Sequence, residues 1–142
     1  MVVPYLHYLS NFRLPGRIPV SDHILVIDDD DALRLLYEHD LGRSGYLVDT
    51  ASCASEAVER FSEGNYDLAI VDIEMPGTDG LELLGQLREM SPHTRLVINS
   101  AYSSYKADFN SWLADGYIVK SSDLEPLKSK IKELLVKSDR RK

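Results

Sequence analysis

The stretch ILVIDDDDALRLL, residues 24–36, runs four apolar side chains directly into four aspartates, of which Asp28 and Asp29 come first. Three other apolar runs end on a residue with chemistry of its own: Asp72 in LAIVDIEMPGTDG, Ser100 in LVINSAY and Lys120 in GYIVKSS. Singly, each has a plainer role, because an aspartate after an apolar run is usually a turn or cap residue, a serine a loop hydroxyl and a lysine a solvated charge. Gathered in one cleft they are a different matter. Two like charges about 4 Å apart repel by about 4 kcal/mol at an effective dielectric near 20, so three carboxylates call for a cation. Oxygen-only ligands favour a hard divalent ion, and Mg²⁺ typically takes one or two carboxylates while keeping waters and room for phosphate oxygens.

A carboxylate in that setting can be the nucleophile of phosphoryl transfer, giving an aspartyl phosphate. The reaction asks for positioning and charge neutralisation, since the transferring group spreads its charge over three oxygens. Mg²⁺ and the Lys120 ammonium would supply countercharge, and Ser100 a hydrogen bond. No general base is needed, because an ordinary carboxylate is ionised at pH 7. The four histidines, His7, His23, His39 and His93, do not close apolar runs as the acids do.

For these residues to meet, the elements between them must bring distant run ends together. Short apolar runs at 24–27, 46–48, 68–71, 96–98 and 117–119 predict five strands, most of them continuously apolar as strands covered on both faces must be. Helical periodicity fills the gaps. Leu33, Leu36, Tyr37 and Leu41 predict a first helix capped by Asp31 and ended by Gly45, and Ala54, Ala57, Val58 and Phe61 a second ended by Gly64. Leu83, Leu84, Leu87 and Met90 predict a third that stops before Pro92, and Tyr105, Phe109, Trp112 and Leu113 a fourth ended by Gly116. Leu127, Ile131, Leu134 and Leu135 predict a fifth, with Pro126 in its first turn. Strand alternating with helix implies right-handed crossovers and a doubly wound α/β sheet with helices on both faces, in which ligands sit beyond the carboxyl ends of the strands. The aspartates lie where such folds build sites.

Composition narrows the classes. The 142 residues suit one domain with one core, and no apolar run approaches the roughly 20 residues of a membrane span. A net charge of −7 argues against direct nucleic-acid binding, because phosphate contacts come mainly from clustered Lys and Arg. Residues 1–22 hold three prolines and lack the features of a secretory signal, so they are expected to form a poorly ordered leader or to pack on the domain through Tyr5, Leu6, Tyr8, Leu9 and Phe12. The domain proper is expected over 23–137, with 138–142 a C-terminal tail. Cys53 is the only cysteine, which suits a reducing cytoplasm, and is expected to be a small half-buried side chain near a helix start. No G-x-G-x-x-G follows any strand, which argues against dinucleotide binding.

Taken in order, VIDDDDALR, VDIEMPGTDGLELL, NSA and GYIVK resemble the acidic-pair, phosphorylation-site, hydroxyl and lysine motifs of the receiver domains of two-component response regulators, similar to the chemotaxis response regulator. The resemblance covers about residues 22–137. It implies a flavodoxin-like five-stranded parallel sheet of order 2-1-3-4-5 with five helices. It also implies that Asp72 is the phosphoacceptor, that Asp29 ligates Mg²⁺ directly and Asp28 through water, and that the backbone carbonyl of Glu74 is a further ligand. Ser100 would follow the phosphoryl group, Lys120 pair with it, and Tyr117 turn inward when Ser100 moves. Asp30 would point outward and Asp31 cap the first helix. Met75, Pro76 and Gly77 would shape the loop after Asp72, and Gly80 would open the third helix. The implied partners are a sensor histidine kinase, a downstream effector domain or protein, and a second copy paired through helix 4, strand 5 and helix 5.

Two features depart from the family pattern. Ser121 stands where proline usually follows the lysine, and a non-proline cis bond costs roughly 2.5 to 4 kcal/mol, so the loop is expected to go trans or to store strain. The span from Ser100 to Lys120 is short, so the fourth helix or its following loop should be trimmed, with Phe109 and Trp112 there as core anchors or as part of a partner surface. Tyr102 and Glu74 flank the expected phosphoryl path and would tune the lifetime of the acyl phosphate. Two other readings compete with a phosphorylation-controlled switch. A degenerate receiver used for docking would keep the fold without the chemistry. A Mg²⁺-dependent phosphohydrolase resembling the haloacid dehalogenase-like phosphatases would place its nucleophile before its acidic pair, whereas here the pair comes first. The chain is expected to be a single-domain regulator or a piece of a longer one carrying an output region.

Overall fold

The computed structural model describes residues 21–102 and 113–141, with side chains to 136. Its elements run β1 His23–Ile27, α1 Asp31–Arg43, β2 Leu47–Ala51, α2 Ala54–Glu63, β3 Leu68–Val71, α3 Gly80–Met90, β4 Arg95–Ser100, β5 Gly116–Val119 and α4 Glu125–Arg141. The five strands form one parallel sheet in the order β2-β1-β3-β4-β5. Four helices lie among the described residues; the predicted fourth helix, with Tyr105, Phe109 and Trp112, falls outside them, as does nearly all of the expected leader. The last helix continues to Arg141, through the segment expected as a tail.

The central strands β1 and β3 are apolar on both faces, and alternation along the sheet divides the core in two. Leu25, Ile27, Ala69, Val71, Leu96, Ile98 and Tyr117 pack with α2 and α3 through Ala57, Phe61, Leu83, Leu84 and Leu87. Ile24, Val26, Leu68, Ile70 and Val97 pack on the other face with α1 and α4 through Tyr37, Leu41, Leu127, Ile131, Leu134 and Leu135. Burying a Leu or Ile side chain contributes about 1.5–3 kcal/mol, so the strand ends are fixed by a rigid interior.

Several local expectations are corrected. Asp30, not Asp31, caps α1: its side chain accepts from the Leu33 N–H at 3.2 Å, while Asp31 pairs with Arg34 one turn on. In a run of four aspartates the cap is whichever residue first turns extended, and only the chain path decides that. Leu36, expected in the buried stripe, is 49% exposed, because Tyr37 and Leu41 already cover the sheet. β2 lies at the sheet edge and runs to Ala51 rather than ending at Val48. An edge strand needs no continuous apolar run, so Asp49 and Thr50 hid its second half. Cys53 sits at the N-cap of α2 but is exposed, not half-buried.

Two glycines are required by geometry near the site. Gly77 has φ +72° in the loop after β3. At Gly80 a Cβ would come within 2.6 Å of the Ile73 Cβ, so only glycine lets α3 start this close to the loop that leaves β3. Asp79 caps that helix by accepting from Leu81 N–H at 3.0 Å and Glu82 N–H at 3.3 Å.

Candidate functional site

β1 and β3 are neighbours in register, Ile27 beside Val71, so the next residues, Asp28 and Asp72, emerge side by side. The ladder reaches one residue past each strand: Asp28 N–H donates to Ala51 O at 3.0 Å, Asp72 N–H to Ile27 O at 2.9 Å and Lys120 N–H to Ser100 O at 2.7 Å. These backbone bonds pin the chemical residues to the sheet.

The two aspartates make matching side-chain contacts. Asp28 Oδ1 accepts from Asp30 N–H at 2.9 Å, and Asp72 Oδ1 accepts from Glu74 N–H at 2.9 Å. Each such turn bends the chain away from the strand end while fixing the carboxylate. The second oxygens face one another across Lys120, whose Nζ lies 2.9 Å from Asp28 Oδ2 and 3.0 Å from Asp72 Oδ2. Both acids are buried. The four-carbon stem of lysine lets a residue from a more distant strand reach back between them.

Asp29 is exposed, and ligand oxygens of Asp28, Asp29 and Asp72 all lie within 4.8 Å of one another. An all-carboxylate set with one arm open to solvent fits a hard divalent cation that retains waters. Charge points the same way, since three acids face one ammonium. Burial pushes the Asp28 carboxyl above its ordinary value despite the neighbouring ammonium. Burial works to lower the Lys120 value, but the hydrogen bonds to Asp28 and Asp72 outweigh it and the ammonium is held above the usual lysine range. Arg34, which the sequence reading overlooked, donates from Nη1 to the Asp28 carbonyl at 2.7 Å, yet its other nitrogen is bound to the Asp31 carboxylate. Its spacing from Asp31, one helical turn, is the signal that could have found it.

Ser100 is fully buried, and its hydrogen-bond partners are Glu74 and Tyr102 rather than the three aspartates. Its Oγ donates to Glu74 Oε1 at 2.9 Å and accepts from Tyr102 N–H at 3.1 Å. Tyr117 is buried with its hydroxyl on the Tyr102 carbonyl. The peptide bond between Lys120 and Ser121 is trans, so the serine after the lysine stores no cis strain. Behind the acids, Asn99 Nδ2 donates to the Tyr37 hydroxyl at 2.8 Å, a buried polar pair that no sequence pattern announced. The structure thus gathers Asp28, Asp29, Asp72 and Lys120 directly, and links Ser100 and Tyr117 to them through Glu74 and Tyr102.

The response regulator receiver domain family matches residues 24–132. Among curated proteins, the chain is 34% identical over 117 residues to the two-component response regulator PhoP of Pseudomonas aeruginosa, covering 81% of this chain and 52% of that protein. It is 36% identical over 114 residues to the transcriptional regulatory protein ResD of Bacillus subtilis, covering 79% and 47%. The chain therefore spans about half the length of the curated relatives it matches. Among solved structures, it is similar to the response regulator TrrA of Thermotoga maritima in complex with Mg²⁺–BeF, at TM-score 0.75 and 45% identity over 80% of this chain and 98% of that one. TrrA has also been solved in complex with the histidine kinase ThkA, with TM-score 0.74, 46% identity and coverage of 80% and 98%. A CheY-like receiver domain of Methanospirillum hungatei aligns at TM-score 0.80 and 30% identity, over 86% of this chain and 99% of that one.

Proposed function

Because the chain belongs to the receiver-domain family of response regulators, we propose that Asp72 accepts a phosphoryl group from a sensor histidine kinase and that the domain thereby switches its output face. The observation that carries this reading is the three-carboxylate cluster closed by the Lys120 ammonium, with Asp72 fixed by backbone bonds on both sides. Here Asp72 is the nucleophile. Its carboxylate oxygen attacks phosphorus in line with the P–N bond of a kinase phosphohistidine; the new O–P bond forms as the P–N bond breaks, and the leaving imidazole takes a proton from solvent. A Mg²⁺ ion held by Asp28, Asp29, Asp72 and the Glu74 carbonyl would neutralise phosphoryl oxygens during the transfer. Lys120, already between Asp28 and Asp72, pairs with the oxygens that appear on Asp72. The domain is no enzyme in the ordinary sense, catalysing at most its own phosphorylation and dephosphorylation.

The added group carries about −1.5 to −2 charge. Ser100 turns its hydroxyl toward it, and Tyr117, already buried with its hydroxyl on the Tyr102 carbonyl, is held inward there, which alters the predicted fourth helix that precedes β5, β5 itself and α4. Moving such an equilibrium from 1:99 to 99:1 takes about 5.5 kcal/mol of differential interaction, within reach of a few charge-assisted contacts. A downstream effector domain or protein, or a second copy, reads that face. The same reading puts the domain in the cytoplasm, without direct contact to nucleic acid or membrane. Among the described residues no helix is long and apolar enough to cross a membrane.

Acetyl phosphate with Mg²⁺ tests the assignment. Wild type takes the label on Asp72, seen as a mass increase that hydroxylamine removes, and Asp72→Asn does not. Equal labelling of both refutes the phosphoacceptor, and repeated turnover of small phosphate esters would favour a phosphohydrolase.

A further inference from the structure

Glu74 touches both ends of the switch at once. Its backbone N–H donates to Asp72 Oδ1 at 2.9 Å, and its side-chain Oε1 accepts from Ser100 Oγ at 2.9 Å. A serine hydroxyl has one hydrogen to give. In this conformation that hydrogen is spent on a carboxylate, and Ser100 also accepts from Tyr102 N–H at 3.1 Å, while the Tyr102 carbonyl takes the Tyr117 hydroxyl. A continuous chain of hydrogen bonds therefore runs from Asp72 through Glu74, Ser100 and Tyr102 to Tyr117.

We propose that Glu74 is a carboxylate latch that holds the Ser100 hydroxyl away from Asp72 until the phosphoryl group arrives. This deepens the receiver reading and rests on it. Ser100 cannot donate to a phosphoryl oxygen and to Glu74 with the same hydrogen, so one bond must break for the other to form. The bond to be broken is a strong one, because its acceptor is a carboxylate and its donor fully buried. Release is built in: a phosphoryl group on Asp72 adds negative charge beside the Glu74 carboxylate, repelling the latch as it attracts the hydroxyl. Glu74 is thus a positioning residue acting through Ser100. It raises the threshold for switching and keeps the resting domain off.

Beryllofluoride with Mg²⁺ is the probe, titrated against wild type, Glu74→Gln, Glu74→Ala, Ser100→Ala and Glu74→Ala/Ser100→Ala, with backbone amide resonances as the readout. Removing Glu74 deletes both its charge and its hold on Ser100. In the Ser100→Ala background only the charge remains to be deleted. The latch therefore predicts that Glu74→Ala tightens beryllofluoride binding about tenfold more with Ser100 present than in the Ser100→Ala background, a coupling of about 1.4 kcal/mol. Without beryllofluoride, the Tyr102 and Tyr117 amides of Glu74→Ala should move along the line toward their wild-type bound positions. Glu74→Gln, which keeps an acceptor but no charge, should move them less. Additive effects in the cycle, or free-state amides that stay in place in Glu74→Ala, overturn the latch. If wild type itself shows no response to beryllofluoride and Mg²⁺, the receiver reading fails first and the latch with it.

Discussion

The two ends of the sheet are near mirror images in charge. At the carboxyl ends, Asp28 and Asp72 share the Lys120 ammonium, with Asp29 a third carboxylate beside them. At the amino ends, one carboxylate, Asp115, is shared by two guanidiniums: Arg88 lies 2.9 Å from its Oδ2 and Arg95 3.3 Å from its Oδ1. The difference lies in how the surplus is absorbed. Arg88 also donates to the carbonyls of Pro92, Thr94 and Leu113, and Asp115 accepts from Leu96 N–H at 2.9 Å, so the surplus is turned inward and knits α3, β4 and the approach to β5 together. Arg95 is buried, with its Nε and Nη2 lacking partners among the described residues. The acidic surplus instead includes Asp29, open to water. Imbalance by itself does not mark a site; imbalance with an accessible ligand does.

This contrast can be broken from either side. Asp115→Ala should have the largest effect on stability, a loss of about 3 kcal/mol in urea unfolding, because it strands a buried guanidinium and a buried N–H. Acetyl phosphate labelling of the folded fraction should be unchanged. Asp72→Asn should do the reverse: labelling disappears while the unfolding free energy holds or rises by up to about 2 kcal/mol, since one attraction to Lys120 is lost against two carboxylate repulsions. A drop as large as that of Asp115→Ala would erase the distinction between the two ends. Mg²⁺ should stabilise wild type by about 1.4 kcal/mol at ten times its Kd, and Asp29→Asn much less at the same concentration, both read from thermal melts.

The smallest effect sharpens the picture at the amino end. Tyr66 donates to Asp49 Oδ2 at 2.7 Å, and burial, then that hydrogen bond, push its phenol far above the ordinary value of 10. A folded-state value above the unfolded one means stabilisation that is complete below about pH 10 and is lost as pH rises through the folded value. Tyr66→Phe should cost about 1 kcal/mol near neutrality and flatten the alkaline loss of stability, measured by denaturant midpoints across pH.

Legibility followed the physics of each feature. The β3 limits and the proline in the first turn of α4 could be read directly, because apolar runs and a missing N–H leave marks at single positions, whereas the glycine that opens α3 came only through the family resemblance. The cap of α1 could not, since Asp30 and Asp31 are chemically alike and differ only in backbone path. β2 was cut short because an edge strand can carry Asp49 and Thr50 without penalty. The Glu74–Ser100 bond and the Tyr37–Asn99 pair join residues 26 and 62 positions apart with no periodicity to announce them.

Amino-acid order alone determined the alternation of strands and helices, the parallel sheet, and which residue stands at each strand end, because periodicity and the termini of apolar runs are properties of the chain. Tertiary structure decided where charges and protons are spent: Lys120 between Asp28 and Asp72, the Ser100 hydrogen on Glu74, the two guanidiniums of Arg88 and Arg95 on Asp115. Those outcomes depend on distances between residues remote in sequence, and hydrogen bonds and ion pairs weaken too steeply with distance and angle for a pattern of residue types to fix them.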